Sequence, residues 1–417
     1  MKIDLFLLHD DKLDNSPRKC LVASGKHLKI EIGKYIDYLI SQGWTKQKLT
    51  FHFMKILNFS ECTCNRLIYL RHDYFHLVFL KELLILSNAY EDRFHLQKKI
   101  TCLKACQPPL KVYKAAKTLT LNLCKIAGAH AADGTVRNNY FSINDGHKSN
   151  LRAFANWFYL IFSIQPPVKT ISEKEWKVSF NSKVFFRYLT KIFSFPNGYK
   201  TDSVCVPKII KESSRRMQIA FAKGFMTFES GVGIKNEVEF CVFSKNIVTD
   251  LATIFKDARV KFTKMQGRSG KYWRIWSGKI NQKEAKKWLQ FYENETYKYN
   301  RLKDYAFGYK NKASTFEQAI QILNYAFPKK PNNKTSLEEL VKAVQKIKLG
   351  TRHDIKKAAN LENFGGPWNG SLKPYLSILE QTKIITTKIG KANGKSCQIY
   401  IYNPNVEEWS LPSAKIE

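Results

Sequence analysis

The feature that most constrains this fold is a segment that occurs twice in the chain. A glycine precedes an acidic residue by a few positions in both copies, as Gly128 and Asp133 in the first and Gly224 and Glu229 in the second. In each copy the acid ends a helix pattern built of apolar and small residues. Two copies of one pattern predict two structural units of the same kind.

The match continues downstream of the two acids. Residues 140–144 and 239–243 alternate like β-strands, and residues 176–178 and 273–275 lie in similar strand patterns. A helix pattern follows each pair of strands, so both copies read α-β-β-α-β-β-α. The sequence therefore predicts an α+β fold with two αββαββα repeats related by a pseudo-twofold axis.

Breaks in the pattern divide the chain into four predicted parts. Residues 1–110, which end at a Pro-Pro pair, read as short helices with polar turns and many basic residues. They fit a helix-turn-helix-like module, and a helical packing domain of no special role is the alternative. The repeats occupy residues 111–205 and 206–298, and residues 314–417 form a separate small domain.

The last part combines helix patterns with a basic hairpin. Residues 336–347, 354–359 and 372–381 read as helices, and two strands then flank a Gly- and Lys-rich turn. This order resembles a winged-helix domain, in which a helix enters the major groove and the wing contacts the backbone. Lys373 would lie at the start of that helix and Lys388, Lys391 and Lys395 on the wing. A winged helix used for protein contacts is the alternative.

The charge of the chain indicates its partner. Lys and Arg total 69 against 35 Asp and Glu, a net charge of +34 that is spread along the whole sequence. A large surface must therefore be positive, and nucleic acid is the expected partner. The 44% apolar content is ample for packed cores, so a disordered chain is excluded.

Two further classes are set aside. There is no uncharged apolar run long enough to span a membrane and no cleavable signal pattern at the start, so we expect an intracellular protein that is not secreted. The nine Cys are an odd number, which fits reduced thiols better than a disulfide framework. Cys62, Cys64, Cys102 and Cys106 are conceivable zinc ligands, but their spacing matches no common zinc pattern and small buried hydrophobes are the alternative.

Each motif helix has a face with small residues, which would let another helix backbone approach closely. These residues are Gly128 and Ala132 in the first helix, and Ala220 and Gly224 in the second. Because Gly in a helix interior costs about 1 kcal/mol relative to Ala, close contact between the two helices is its expected compensation. Such contact would bring Asp133 and Glu229 side by side. Ordinary packing is the alternative, but it does not explain an acid at the same place in both copies.

Two neighbouring carboxylates have a chemical consequence. They repel each other and raise each other's pKa values, and a divalent cation relieves that repulsion. Mg²⁺ prefers a few carboxylate ligands with waters and phosphate oxygens. In a strongly basic protein, this arrangement suggests phosphodiester hydrolysis by metal-activated water.

At these residues the sequence resembles the LAGLIDADG homing endonucleases with two motifs in one chain. Residues 126–134 read IAGAHAADG and residues 222–231 read AKGFMTFESG, and the resemblance covers about residues 113–290. It implies that the two motif helices form the interface between the repeats. It also implies that the sheets form a saddle over the DNA major groove, and that the two strands are cut across the minor groove.

The same resemblance implies the site residues. Asp133 and Glu229 would bind Mg²⁺ or Mn²⁺, with two or more ions, and a pseudo-symmetric monomer would need no partner chain. A basic residue near the metals would stabilise the phosphate, and Lys169 and Lys261 are the candidates by repeat alignment. Abundant lysine makes a phosphate contact or a solvated side chain the alternative for each.

Departures from the motif fall beside the acids. The earlier motif Asp is Ala131 in the first copy and Thr227 in the second, and the Gly after the acid becomes Ser230. These losses threaten helix stability more than chemistry, and they allow reduced or strand-biased activity. His130, amid small residues in mid-helix, is expected to be a core side chain rather than a ligand.

The DNA-contacting surface is expected on the open faces of the strands, where period-2 alternation places basic and polar residues. Arg and Lys can pair with guanine and Asn with adenine, although most basic contacts go to phosphates. The predicted nucleic-acid-binding residues of the repeats are Arg137, Asn139, Lys148, Lys174, Lys177, Lys245, Arg268, Lys271 and Arg274.

Together these features predict a metal-dependent, site-specific double-strand DNA endonuclease. The alternatives are a DNA-binding regulator of the same fold that does not cut, and an RNA-binding maturase that acts on an intron. An intein is not expected, because residue 1 is neither Cys nor Ser and the final residues lack the His-Asn pair.

Overall fold

The structure is a computed structural model, and it describes most of the chain. The described residues are 1–10, 14, 16–107, 111–172, 175–233, 237–267, 270–306, 320, 333–359, 372, 375–376, 378–380, 383–392 and 395–404. Among them, none of the helices combines the length and apolar character needed to cross a bilayer.

Helices and strands alternate along the chain. The α-helices are α1 (Leu28–Ser41), α2 (Lys46–Leu57), α3 (Glu61–Ile68), α4 (Leu77–Leu86), α5 (Arg93–Lys99), α6 (Leu121–Ala132), α7 (Lys148–Phe162), α8 (Lys183–Arg187), α9 (Lys208–Lys211), α10 (Arg215–Glu229), α11 (Lys245–Asp257), α12 (Gln282–Trp288), α13 (Tyr297–Ala306), α14 (Asn333–Ile347) and α15 (Arg352–Ala358). The strands are β1 (Leu21–Ser24), β2 (Phe75–His76), β3 (Cys102–Ala105), β4 (Tyr113–Lys114), β5 (Thr135–Arg137), β6 (Tyr140–Asp145), β7 (Val168–Ser172), β8 (Glu175–Asn181), β9 (Gly231–Val232), β10 (Val238–Val242), β11 (Thr263–Gln266), β12 (Trp273–Trp276), β13 (Leu349–Thr351), β14 (Ile385–Ala392) and β15 (Lys395–Tyr402).

The described strands form four antiparallel sheets, so the α+β class is confirmed. The orders are β2-β1-β3-β4, β5-β6-β8-β7, β11-β12-β10-β9 and β13-β15-β14. The second and third sheets share one connectivity, in which the first strand pairs with the second, the second with the fourth, and the fourth with the third. The α-β-β-α-β-β-α order expected for each repeat is also the observed order.

The chain divides into two compact units. The first contains the described residues of Met1–Gly231, Glu239–Ser277 and Lys286–Arg301. The second contains those of Val232–Val238, Gly278–Ala285 and Leu302–Glu417. The finer boundaries at 110, 205 and 298 remain predictions.

The motif helices begin and end close to where their patterns predict. Thr120 caps α6, because its hydroxyl accepts a hydrogen bond from the amide of Leu123 at 3.2 Å, and the helix ends directly before Asp133. The apolar pattern of the second motif helix starts at Gln218, whereas the helix itself begins three residues earlier, at Arg215. Its polar first turn carries no apolar periodicity, so the pattern could not include it.

Aromatic side chains fill the core of each repeat. In the first, Phe141 on β6 stacks on Phe154 of α7 with ring centroids 5.3 Å apart. In the second, Phe255 of α11 contacts Trp288 of α12 at 5.1 Å. Across the sheet of the first repeat, Ile143 lies opposite Val178, and both are buried. The apolar residues of each alternating strand therefore face the helices and leave the other face of the sheet open.

The prediction that residues 1–107 are helical was incomplete, because this part also contains the strands β1, β2 and β3 of the sheet β2-β1-β3-β4. β1 pairs with β3 over four residues, with Leu21 opposite Ala105. These strands are two to four residues long, too short for period-2 alternation to be recognised.

A buried ion network anchors the start of the chain within the first unit. Arg187, 1% exposed, donates to the carboxylates of Asp10 at 2.8 Å and Asp14 at 3.0 Å. Lys183 adds a contact of 2.6 Å to Asp14. The charge of Arg187 is thereby matched by two carboxylates, as burial of an ion requires.

The second unit has its own apolar core. Leu337, Leu340 and Val344 of α14 pack with Ile355 of α15 and Tyr400 of β15. The predicted hairpin is present as β14 and β15, paired from Ile385 opposite Tyr402 to Ala392 opposite Lys395. Lys388 and Lys391 are exposed on β14, Lys395 begins β15, and Lys373 lies outside the described residues. The winged-helix assignment therefore stays a prediction.

Candidate functional site

The two motif helices cross at their glycines. A Cβ atom on Gly128 would lie 2.0 Å from the carbonyl oxygen of Phe221, and one on Gly224 would lie 2.0 Å from that of Lys125. Both distances are far inside van der Waals contact, so each glycine is required where the opposing backbone approaches. Ala220 is buried beside this crossing and Ala132 is half-buried.

This crossing brings the two acids together. Asp133 ends α6 as its C-cap, and Glu229 is the last residue of α10. Each carboxylate acts electrostatically on a shared set of groups, and the charge of Asp133 acts directly on Glu229. The electrostatic effect of Asp133 on Glu229 and the close crossing of their helices support the expectation that these acids lie near each other, while their role as metal ligands stays a prediction.

Both carboxylates are harder to ionise than usual. Burial and then the charge of Asp133 raise the pKa of Glu229 to about 7, while Lys298 and Lys200 oppose the shift. Burial also raises the pKa of Asp133, with Asp145 adding to the rise. Asp133 keeps an exposed surface, so burial removes only part of its hydration.

Two lysines hold the ends of the motif helices. Lys200 donates from Nζ to the carbonyl oxygens of Ala131 at 2.8 Å and Ala132 at 2.9 Å. Lys298 donates in the same way to Thr227 at 2.9 Å and Phe228 at 2.7 Å. In each repeat these carbonyls belong to the two residues before the acid. The final carbonyls of a helix lack intrahelical partners and carry partial negative charge, so an ammonium group stabilises both helix ends.

Burial lowers the pKa of both lysines. Burial lowers the pKa of Lys200 to about 8, against the attraction of Asp133 and Glu229. Burial likewise lowers the pKa of Lys298, against Asp145, Asp133 and Glu229. An ammonium group has three N–H donors, and two of them bind carbonyls in both cases. The sequence did not identify either lysine, since 69 basic residues offer no local signal that separates these two.

The end of α10 receives an additional support that involves the first repeat. Asn150, fully buried, donates from Nδ2 to the carbonyl oxygen of Thr227 at 3.1 Å and to the carboxylate of Asp145 at 2.9 Å. The same Asp145 also acts on Asp133 and Lys298. The environments of the two acids are therefore unequal, although their helices are alike.

The motif departures are accommodated in the second repeat. Thr227 donates from its hydroxyl to the carbonyl of Lys223 at 2.8 Å, and Ser230 donates to that of Met226 at 2.6 Å. Ser230 also shares a hydrogen bond of 2.9 Å with Tyr292. In the first repeat Gly134 cannot be replaced in this way, because a Cβ there would lie 2.6 Å from the Cα atom of His130.

His130 is a core side chain, as expected. It is fully buried and packs on Phe195 with ring centroids 4.7 Å apart. Burial and the charge of Lys200 hold its pKa well below the usual range, so the ring is neutral. Among the described residues, no carboxylate acts on this neutral imidazole, so nothing there favours a general-base role.

Hard oxygen donors define what the site can bind. Asp133 and Glu229 offer two carboxylates whose repulsion a divalent cation would relieve, which fits Mg²⁺ or Mn²⁺ with water and phosphate oxygens as further ligands. Within the described part of the chain, no three His, Cys, Asp or Glu side chains cluster as a metal site. The four cysteines considered for zinc therefore form no such cluster.

Lys169 and Lys261 lie elsewhere in the repeats. Lys169 is exposed on β7, opposite Lys177 on β8, and Lys261 is exposed just before β11. Among the described residues, the cations that act on the two carboxylates are Lys298 and Lys200. A catalytic role for Lys169 and Lys261 stays a prediction, and the geometry favours the other two lysines.

In the first repeat, the open face of the sheet β5-β6-β8-β7 is polar and basic. Register places Arg137 opposite Tyr140 and Asn144 opposite Lys177, on the face away from the core. Lys177 also lies 5.6 Å from the ring centroid of Tyr140. Asn139 has a left-handed φ of 71° in the turn between β5 and β6, where Asn is favoured. Lys174 lies outside the described residues.

In the second repeat, the corresponding face of the sheet β11-β12-β10-β9 is less basic. Arg274 forms an ion pair with Glu239 and lies 5.6 Å from the ring centroid of Trp276. Lys271, just before β12, is exposed, while Lys245 at the start of α11 lies over the ring of Trp273 at 5.2 Å. In the first repeat, Lys148 at the start of α7 is exposed. Arg268 lies outside the described residues. Base or phosphate contacts by any of these side chains remain predictions.

Comparison with known proteins gives structural likeness only. No protein-family profile matches the chain, and no curated protein sequence matches it. The solved structure of I-DmoI in complex with DNA and Mn is similar at 12% identity and a TM-score of 0.31, over 42% of this chain and 97% of that one. The meganuclease I-SmaMI bound to uncleaveable DNA is similar at 10% identity and a TM-score of 0.31, over 52% of this chain and 100% of that one. Full-length DUF199/WhiA from Thermatoga maritima is similar at 11% identity and a TM-score of 0.29, over 63% and 91%. At these values the likeness assigns no residue.

Proposed function

We propose that this protein is a metal-dependent endonuclease that hydrolyses phosphodiester bonds of duplex DNA. The observation that carries the proposal is the close crossing at Gly128 and Gly224 of two helices that each end at an acid, Asp133 and Glu229, with the charge of Asp133 acting on Glu229. Two carboxylates with raised pKa values destabilise the free protein. A site that keeps them is explained by a positively charged ligand.

Asp133 and Glu229 would hold the divalent cation, which when bound supplies Lewis-acid charge and an activated water for hydrolysis. The two carboxylates fix its place at the seam between the repeats. Lys200 and Lys298 supply positive charge beside them, and charge fixed in advance stabilises a phosphate as negative charge builds on it. The hydrogen bonds of both lysines to helix ends keep that charge in position.

The sheets would supply the binding surface. Two sheets of equal connectivity, related by a pseudo-twofold axis, would form a saddle that follows the duplex. Arg137 and Lys177, on the open face of the sheet in the first repeat, suit phosphate and base contacts. One acid from each repeat would then serve one strand, so a single chain completes the site without a partner. Salt should weaken binding steeply.

The second candidate is a DNA-binding regulator that does not cut. It is favoured by the small number of metal ligands, since the described His, Cys, Asp and Glu side chains form no cluster of three.

One experiment separates these functions. The protein is incubated with a library of DNA duplexes and Mg²⁺, and the ends produced are sequenced. Defined double-strand cuts, lost in Asp133→Asn and in Glu229→Gln while binding is kept, support the nuclease. Tight, specific binding without cuts in either Mg²⁺ or Mn²⁺ would leave the regulator as the function.

A further inference from the structure

Outside the repeats, α2 and α3 form a compact pair of short helices. These helices are joined by a turn at 58–60, in which Asn58 has the left-handed φ of 54°. Ser60 then caps α3 by accepting a hydrogen bond from the amide of Thr63 at 3.3 Å. A three-residue turn with a left-handed residue between two short helices is the geometry of a helix-turn-helix.

The interior of this motif is mainly apolar. Phe53 and Leu57 of α2, Phe59 of the turn, and Cys64 and Leu67 of α3 are all buried. These five side chains fix α3 against α2 by packing. A hydrogen bond of 2.9 Å between Thr50 and Asn65 joins the two helices as well. The orientation of α3 is therefore determined without its outer face.

That outer face is exposed. Cys62, Arg66 and Tyr69 follow one another at helical spacing, and Tyr69 is 45% exposed at the end of α3. Thr63 is half-buried beside them. Nothing in the packing of this module requires a long basic side chain and an aromatic ring at these places.

Cations surround this face. The ring of Tyr69 lies between Lys46, 5.0 Å from its centroid, and Arg71, at 5.4 Å. Lys48 is exposed on α2. The nearby carboxylate of Asp73 is occupied by Lys29 at 2.8 Å. Exposed cations around a helix face complement the phosphates on both sides of a groove. The centre of a protein–protein interface, in contrast, is depleted of charge.

We propose that α3 enters the major groove of duplex DNA and reads bases there, with Arg66 as the base-reading residue and Lys46 and Arg71 on the phosphates. An arginine on an exposed helix face can pair with the O6 and N7 atoms of guanine. This inference goes beyond the proposed endonuclease, because it concerns binding alone and does not depend on Asp133 or Glu229.

The test uses the full-length protein without divalent metal, so cutting plays no part. Preferred sequences are selected from random duplexes for the wild type, and its affinity is then measured by fluorescence anisotropy across a salt series. Arg66→Ala and Arg66→Lys should both lose discrimination at one or two base pairs, by about 10- to 100-fold. The lysine variant keeps the charge, so its salt dependence should match that of the wild type.

Lys46→Ala should behave differently. It should weaken binding to all sequences alike and lower the slope of log affinity against log salt by about 1. Lys98→Ala, which removes an exposed lysine from α5, is the matched control and should change neither quantity. Thermal melting of each variant verifies that these surface substitutions leave the fold intact.

Two results would overturn the proposal. In one, the Arg66 variants select the same sequences as the wild type with equal discrimination. In the other, Lys46→Ala keeps the salt slope of the wild type, as the control Lys98→Ala does, which would indicate a protein-binding face. If the wild-type protein selects bases through Arg66 but does not cut DNA in Mg²⁺, only the endonuclease proposal is refuted.

Discussion

Replacing Glu229 by Gln should make the metal-free protein more stable at neutral pH, even though it removes a proposed metal ligand. Burial and the charge of Asp133 raise the pKa of Glu229 from its ordinary 4.5 to about 7. Between these two values the folded state binds more protons than the unfolded state, so the stability of the wild type falls as pH rises through this interval. A difference of about 2.5 pKa units corresponds to about 3 kcal/mol above pH 7. Gln carries no charge and avoids this loss.

Urea denaturation in EDTA at pH 5, 6, 7 and 8, followed by tryptophan fluorescence, measures the difference. The variant should exceed the wild type by less than about 1 kcal/mol at pH 5 and by about 2–3 kcal/mol at pH 8. Glu212→Gln is the matched control, since its side chain is 57% exposed, and it should show no such growth with pH. Mg²⁺ should stabilise the wild type more than the variant. A Glu229→Gln protein that is no more stable than the wild type at pH 8 would show that the carboxylate is not desolvated as described.

Two further outcomes follow from the same seam. Gly224→Ala should destabilise the protein by about 1–3 kcal/mol or more, because its Cβ would lie 2.0 Å from the carbonyl oxygen of Lys125. Gly33→Ala on α1 is the control: its Cβ would meet Leu70 at an ordinary 3.5 Å, so helix propensity should leave it neutral or stabilised by up to about 1 kcal/mol in urea melts. Lys200→Met should slow DNA cutting about 100-fold with binding retained. It should also move the midpoint of the pH–rate profile upward, since Lys200 lowers the pKa of Glu229. Lys200→Arg should recover part of the rate, and an unshifted profile in Lys200→Met would contradict the role given to this charge.

The repeat is the level at which the sequence was most informative. Helical and alternating periodicities are local properties, and they predicted the element order of both repeats. Gly128 and Gly224 were recognisable because glycine inside a helix has a cost that close contact can offset. The position of each acid at the end of its helix followed from the same pattern.

The tertiary structure alone decided which charges surround those acids. Lys200 lies in a loop and Lys298 at the start of α13, both more than sixty residues from the acid that they accompany. In a chain with 69 basic residues, no local pattern separates them from Lys169 and Lys261. Asp145 and Asn150 reach the second motif helix from the first repeat, so their effect on the site is also long-range.

The same division explains the first hundred residues. The helices were evident from their periodicity, whereas the sheet was not, because β1 pairs with β3 eighty residues away through strands of only four residues. Periodicity is a property of neighbouring residues and reports which face of an element is buried. Which distant element covers that face, and which charges it brings, depends on packing of the whole chain.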